Sequence, residues 1–202
     1  MTAKRKRRGP RKATAKHLEN AALHYLGRFA SSAENLRRVL LRKVRRSARF
    51  HGTDEDEGRA HVERLVKRLA RAGLVDDATY AAARAVSLHR RGAAPKLIAA
   101  RLRQKGVAAG AIDGALAALG GSLGDVELAA AVNLARRRRL GPYRPKGRSQ
   151  ARPATGGGDR LGAARERERA LAALARAGFP YDVARRVVDA DSVEELEQAA
   201  GL

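Results

Sequence analysis

Apolar residues recur along this chain every three or four positions, the period of a helix with one buried face. Leu18, Ala21, Ala22, Tyr25 and Leu26 form the first stripe. Leu36, Val39, Leu40 and Val44 form the second, on a surface otherwise filled by Arg37, Arg38, Arg42, Lys43, Arg45 and Arg46. Between them, Ser31-Ser32-Ala33-Glu34 reads as a capping box: a Ser hydroxyl takes an amide of the first turn and Glu34 reaches back. Gly52 breaks the pattern, and Thr53-Asp54-Glu55-Asp56-Glu57 brings carboxylates to the positive end of a third helix. Val62, Leu65, Val66 and Leu69 carry that helix to Gly73.

The periodicity continues. Asp76-Asp77 opens a helix carrying Tyr80, Ala81, Val86 and Leu88 up to Gly92. One of the two aspartates suits the N-cap, and adjacent helical residues cannot share one substrate atom as a catalytic pair. Ala94 to Gly106 follows, with Pro95 in a first turn. Ala109 to Leu119 is short, and Val126 to Leu140 is longer with an Arg-dense end. Helix resumes near Ala163 and ends at Gly178. A short helix after Tyr181 and a capped one opened by Ser192 complete the chain.

One spacing repeats: Leu69 to Gly73, Leu102 to Gly106 and Leu174 to Gly178, each followed by an apolar residue, Leu74, Val107 or Phe179. A left-handed glycine closes a helix, and the next apolar residue is expected to fold back on it. With neighbouring helices each unit makes a three-helix module too small to stand alone, so stacked modules share faces. The fold expected is all-α: a module over residues 17–75, a second over 76–122 and a third over 123–202. Residues 1–16, with Lys4-Arg5-Lys6-Arg7-Arg8, read as a disordered basic tail. Residues 141–162, rich in Gly and Pro, read as a mobile loop, and Gly156 to Gly162 within it as a flexible hinge.

Composition agrees with helices and narrows the chemistry. Hydrophobic residues are 44% of the chain and aromatics only 3%, with Ala, Leu and Val dominant. There is no Cys, which excludes thiolate chemistry and Cys-based metal sites, and fits a reducing cytoplasmic home. His17, His24, His51, His61 and His89 show no metal-binding helical spacing, and Gly156-Gly157-Gly158 lacks the Lys-Ser/Thr ending of a phosphate loop. No stretch approaches the ~20 apolar residues of a membrane span. The chain is therefore expected to be no enzyme, to need no cofactor or metal, and to contact no membrane.

The net charge of +22 points to a polyanionic partner. No acid lies between Asp77 and Asp113, and Arg136 to Arg139 are consecutive. Asp182 to Leu202, by contrast, carries six acids against Arg185 and Arg186. Few aromatics are available to stack bases, and nothing suggests base readout.

The ordered series Leu74-Val75-Asp76-Asp77-Ala78-Thr79-Tyr80-Ala81, Arg90-Arg91-Gly92 with Lys96-Leu97-Ile98, Arg103-Gln104-Lys105-Gly106-Val107 and Ala177-Gly178-Phe179-Pro180-Tyr181-Asp182-Val183 resembles the RecX family, bacterial regulators of the RecA recombinase. The likeness runs from about residue 20 to about residue 190. It implies an elongated, curved array of three-helix modules lying along the RecA filament on single-stranded DNA. It also implies restraint of ATP hydrolysis, recombination and the damage response. The long basic tail and the Gly-rich insertion depart from plainer members.

The residues expected to meet filament or DNA are Arg37, Arg38, Arg42, Arg84, Arg90, Arg91, Lys96, Arg103, Lys105, Arg136, Arg137, Arg138 and Arg139. Gly73, Asp76, Asp77, Tyr80, Gly106, Gly178 and Phe179 are expected to be structural. The chain is expected to act as a monomer. A general nucleic-acid-binding or architectural protein working through phosphate contacts alone is the alternative.

Overall fold

The computed structural model describes residues 9–145 and 158–202. Among them are ten α-helices, one 3₁₀ turn at Gly141–Tyr143 and no strand. Residues 1–8 and 146–157 lie outside the described part, and with them half of the expected disordered tail and more than half of the expected mobile loop.

The chain divides into two compact units. One comprises residues up to Ala81 together with Arg103–Ala111; the other comprises Ala82–Leu102 and Ile112–Leu202.

In the first unit, α1 (Ala15–Leu26), α2 (Ala33–His51) and α3 (Glu55–Arg71) pack around one core. Leu18 and Ala22 from α1, Leu36, Leu40 and Val44 from α2, and Val62, Leu65, Val66 and Leu69 from α3 meet there with Val75. These are the stripes the sequence spacing marks. The cap of α2 differs from the expected box. Ser32 accepts the Asn35 amide at 3.2 Å, so Asn35 holds the position from which a side chain would reach back. Glu34 turns instead to Arg37 and Arg38. The backbone N–H of Ala33 is taken by Asp77 Oδ1 at 2.7 Å, 44 residues away.

Residues 9–16 are not the free tail the charge suggests. The Ala13 amide donates to buried Ser47 Oγ at 2.9 Å, and Thr53 donates to the same oxygen at 2.9 Å. The His51 ring donates to the Pro10 carbonyl at 2.6 Å. Thr14 caps α1. Small residues and a proline let this segment lie against α2, and the hydroxyl of Ser47 gives its backbone a buried partner.

In the second unit, α7 (Leu123–Arg138) is the central element. Its Leu128 to Val132, Leu134 and Ala135 are all buried, so it is apolar on nearly every side. Around it lie α8 (Gly158–Arg176), α9 (Tyr181–Val188) and α10 (Val193–Ala199), supplying Leu174, Ala184, Val187 and Leu196. Ser122 and Asp125 form a complete capping box at the start of α7. Asp125 is held below the usual carboxylate range chiefly by the Ser122 hydroxyl. Helix α8 starts at Gly158, so Gly158 to Gly162 are helical rather than the flexible hinge their composition suggests.

Three helices begin in one unit and end in the other: α4 (Asp77–Arg90), α5 (Pro95–Gln104) and α6 (Ala109–Ala117). Gly73, Gly106 and Gly178 are left-handed, as helix stops require. The Leu74 and Phe179 amides donate to the carbonyls of Leu69 and Leu174. Phe179 and Val107 are buried, but Leu74 is 54% exposed and Val75 takes the core position instead. The same spacing also occurs at Leu23 to Gly27, Leu88 to Gly92 and Leu116 to Gly120, with Gly92 and Gly120 left-handed as well. A non-glycine variant ends α7, where Arg139 has φ 55°. The spacing therefore marks helix ends generally, not one mark per module.

Candidate binding surfaces

The predicted binding residues separate by what they touch. In the first unit, Arg37 bonds Glu63 at 2.5 Å and lies 3.6 Å from Glu34. Arg38 bonds Glu34 at 2.8 Å and donates to the Gln104 carbonyl at 2.7 Å. Both guanidiniums are committed within the fold. They belong to a polar junction at the N-terminus of α2. There Ser32 donates to the Lys105 carbonyl at 2.5 Å and Asn35 donates to Tyr25 and Ser31. Lys105 Nζ also donates to Asn35 at 3.2 Å. Gly106 packs against Glu34 in this junction: a Cβ there would fall 2.3 Å from Glu34 Cγ. Arg42 and Arg103 are exposed.

The aspartate pair divides its work. Asp76 Oδ1 accepts the amides of Ala78 and Thr79, and Oδ2 accepts the Thr79 hydroxyl at 2.7 Å. The hydroxyl bond is the main reason its carboxyl is held below the usual range. Asp77 caps α2 through the Ala33 amide. Both are structural caps, and Tyr80 is half-buried on the helix they open.

In the second unit, Arg136 bonds Asn133 and lies 3.6 Å from Glu197. Glu197 also accepts the Tyr143 hydroxyl at 2.9 Å. Burial, and then that bond, push the Tyr143 phenol up to about 12. Arg90 and Lys96 are exposed. Arg139 lines a separate cavity beside Gly141, Glu166 and Asp189.

The remaining four, Arg84, Arg91, Arg137 and Arg138, converge. All four line one groove of about 530 Å³, together with Arg101 and Arg176. Each contributing helix uses the same device. Leu88 sits four residues after Arg84 and three before Arg91; Leu97 sits four before Arg101. Leu134 precedes Arg137 and Arg138 by three and four, and Ala173 precedes Arg176 by three. Residues three or four apart share a helix face, so each apolar residue brings an arginine to the same groove. The groove has no acidic lining residue. Among the described residues, none of the six is ion-paired. Neither Arg101 nor Arg176 is among the expected contact residues: Arg101 lies in the acid-free basic stretch the sequence marks, whereas Arg176 has no neighbouring cation in sequence to single it out.

Among the described residues there is no cluster of His, Cys, Asp or Glu that could hold a metal, and no helix is long and apolar enough to cross a membrane.

Comparisons with known proteins place these features in a family. A family model for the second three-helix domain of RecX matches residues 76–116. A protein of Myxococcus xanthus named "Regulatory protein RecX" is 42% identical over 191 residues, covering 93% of this chain and 94% of the relative. Two crystal structures share the fold. One, of "regulatory protein RecX", has a TM-score of 0.55 at 22% identity, covering 87% of this chain and 72% of that one. The other, of RecX from Lactobacillus salivarius, has a TM-score of 0.54 at 17% identity, covering 91% and 97%. With an all-α fold of helical modules and a near full-length relative at this identity, the chain belongs to the RecX family.

Proposed function

We propose that this protein is a cytoplasmic regulator that binds the RecA filament on single-stranded DNA and restrains its ATP hydrolysis and recombination. The 42% identity to a regulatory RecX protein over 93% of the chain carries this reading. The chain is read as three modules over residues 17–75, 76–122 and 123–202. The family match beginning at residue 76 supports the first boundary. Exposed Arg42, Arg90, Lys96, Arg103 and the arginine groove supply cationic surface for an anionic assembly. Arg37, Arg38 and Arg136 serve the fold instead, because carboxylates of the same chain already hold them.

A titration of DNA-dependent RecA ATPase tests the reading. Inhibition is expected at well below one regulator per RecA protomer, since a filament binder blocks assembly or turnover beyond its own contacts. Inhibition that appears only when regulator saturates the bare DNA would sink it.

A further inference from the structure

We propose that the cavity between the end of α7, the 3₁₀ turn, α8 and α9 binds a small amphipathic organic anion: an apolar body carrying one carboxylate or phosphate group.

The cavity has the size and the wall of a ligand site. Its volume is about 510 Å³, inside the range of roughly 300–1,000 Å³ in which proteins hold small molecules. Leu140, Pro142, Ala163, Ala170, Val188 and Ala190 give it an apolar wall. Ala163, Glu166, Arg167 and Ala170 share one face of α8 by helical spacing. The two alanines on that face leave the space that larger side chains would fill.

The wall is set by the fold rather than by a ligand. Gly141 lies against the end of α9, where a Cβ on it would fall 3.0 Å from the Val187 carbonyl oxygen. The same turn is tied to α10 by the Tyr143 hydroxyl, which donates to Glu197 at 2.9 Å. A site ordered in advance loses little freedom on binding.

The charge of the lining selects an anion. Both of its carboxylates are taken by arginines of the same chain: Glu166 by Arg144, and Asp189 by Arg167 through two bonds of 2.7 and 2.6 Å. Two further lining arginines, Arg139 and Arg169, have no ion pair among the described residues. A cation would find no free carboxylate here. Each free guanidinium, by contrast, offers a fork of donors matched to carboxylate or phosphate oxygens. Two such forks beside an apolar wall suit one acidic group on an apolar body.

The backbone of Arg139 points the same way. It is the one non-glycine residue with positive φ among the described residues, at 55°. Glycine would hold that position without strain. A strained backbone carrying an unpaired guanidinium beside a cavity is the pattern of a residue that serves a site rather than the fold.

The test is titration of the full-length protein with anilinonaphthalene sulfonate, an aromatic anion whose fluorescence rises on apolar burial. Saturable binding at one site per chain is expected. Arg139→Gly and Arg169→Gln should each weaken it about tenfold, the worth of one charge-assisted hydrogen bond. Ala163→Phe, at an exposed position of α8, fills the cavity without altering charge and should abolish it. Arg165→Gln, on α8 but outside the lining, should leave it unchanged. Arg139→Gly also relieves the left-handed strain, so its thermal midpoint should rise by about 1–4 °C while binding falls. A purely structural role for Arg139 would lower both together.

Competition then defines the ligand class. Naphthoate and naphthyl phosphate should both displace the dye, and the better of the two names the preferred acidic group. Naphthalenemethanol and inorganic phosphate, each lacking one half of the chemistry, should compete at least about tenfold more weakly. Equal competition by the alcohol would mean a plain apolar patch, and equal competition by inorganic phosphate a bare anion site; either overturns the proposal. Absence of dye binding, binding that survives Ala163→Phe, or a loss in Arg165→Gln matching that in Arg169→Gln overturns it as well. Neither RecA nor DNA is present, so the outcome leaves the filament reading untouched.

Discussion

Gly92 and Gly178 end different helices of the second unit with the same Leu-x-x-x-Gly spacing, yet their replacement by alanine should differ several-fold in cost. Both are left-handed, with φ of 72° and 92°. An L-residue there costs about 1–2 kcal/mol, offset by about 0.4–1 kcal/mol because alanine also restricts the unfolded chain. For Gly178 those two effects are nearly all. A Cβ would meet only Ala94 Cβ at 3.7 Å, an ordinary contact, so Gly178→Ala should cost about 0.5–1 kcal/mol. At Gly92 the same Cβ would lie 2.5 Å from Leu134 N and 2.7 Å from its Cα. Those are backbone atoms of α7, whose residues are buried along this stretch, so no side chain can swing aside. Overpacking of this kind adds about 1–3 kcal/mol, which brings Gly92→Ala to roughly 2–4 kcal/mol. The assay is urea unfolding followed by helical circular dichroism. With a slope of about 2 kcal/mol/M, midpoints should fall by roughly 1–2 M for Gly92→Ala and less than about 0.5 M for Gly178→Ala. A Gly178→Ala loss equal to or larger than that of Gly92→Ala would refute the argument from close backbone approach.

Two further outcomes are expected. Asp77→Ala should destabilise the first unit by about 1–2 kcal/mol, because it strips the acceptor from the Ala33 amide at the start of α2. Asp77→Asn, which keeps a carbonyl oxygen, should recover most of that in thermal melts, and an asparagine variant as unstable as the alanine one would contradict the capping role. For pH, the Arg167 guanidinium holds the Asp189 carboxyl below its ordinary value, mainly by hydrogen bonding. A carboxyl depressed in the folded state contributes stability above its unfolded value of about 3.9 and loses it as pH falls through the lower folded value. Melting temperature should drop below about pH 4, and Asp189→Asn should make that drop shallower; an unaltered acid limb would count against the pair.

Much of the fold is legible in the sequence because one rule generates it. The stripes Leu36-Leu40-Val44 and Val62-Leu65-Val66-Leu69 became the core of the first unit without any tertiary information. The illegible parts depend on partners distant in sequence. Nothing local distinguishes Asp76 from Asp77, yet one caps its own helix and the other caps α2 across 44 residues. Residues 9–16 read as tail because their charge is visible and the buried hydroxyl of Ser47 that receives Ala13 is not. The glycine spacing is local in origin: helix termination needs it wherever a helix stops, so it recurs at Leu88–Gly92 and Leu116–Gly120 and does not by itself count modules.

The same limit explains which arginines the sequence could rank. Density along the chain put Arg37, Arg38 and Arg136 beside Arg84 and Arg137 as equals. Pairing separates them, and pairing is tertiary. The carboxylates that hold arginines all lie outside the lining of the groove. Glu34 and Glu63 take the arginines of α2, while Glu166, Asp189 and Glu197 take those around Tyr143 and α8. The acidic C-terminal stretch is thus no mere counterweight to a basic middle. Its Asp189 and Glu197 engage Arg167, Arg185 and Arg136, but the acid-free stretch from residue 78 to 112 supplies half of the groove and offers no carboxylate of its own. Helical spacing then does the rest: an arginine three or four residues from a buried leucine must surface where that leucine packs. An absence of acids along the sequence becomes a groove of uncompensated charge in space.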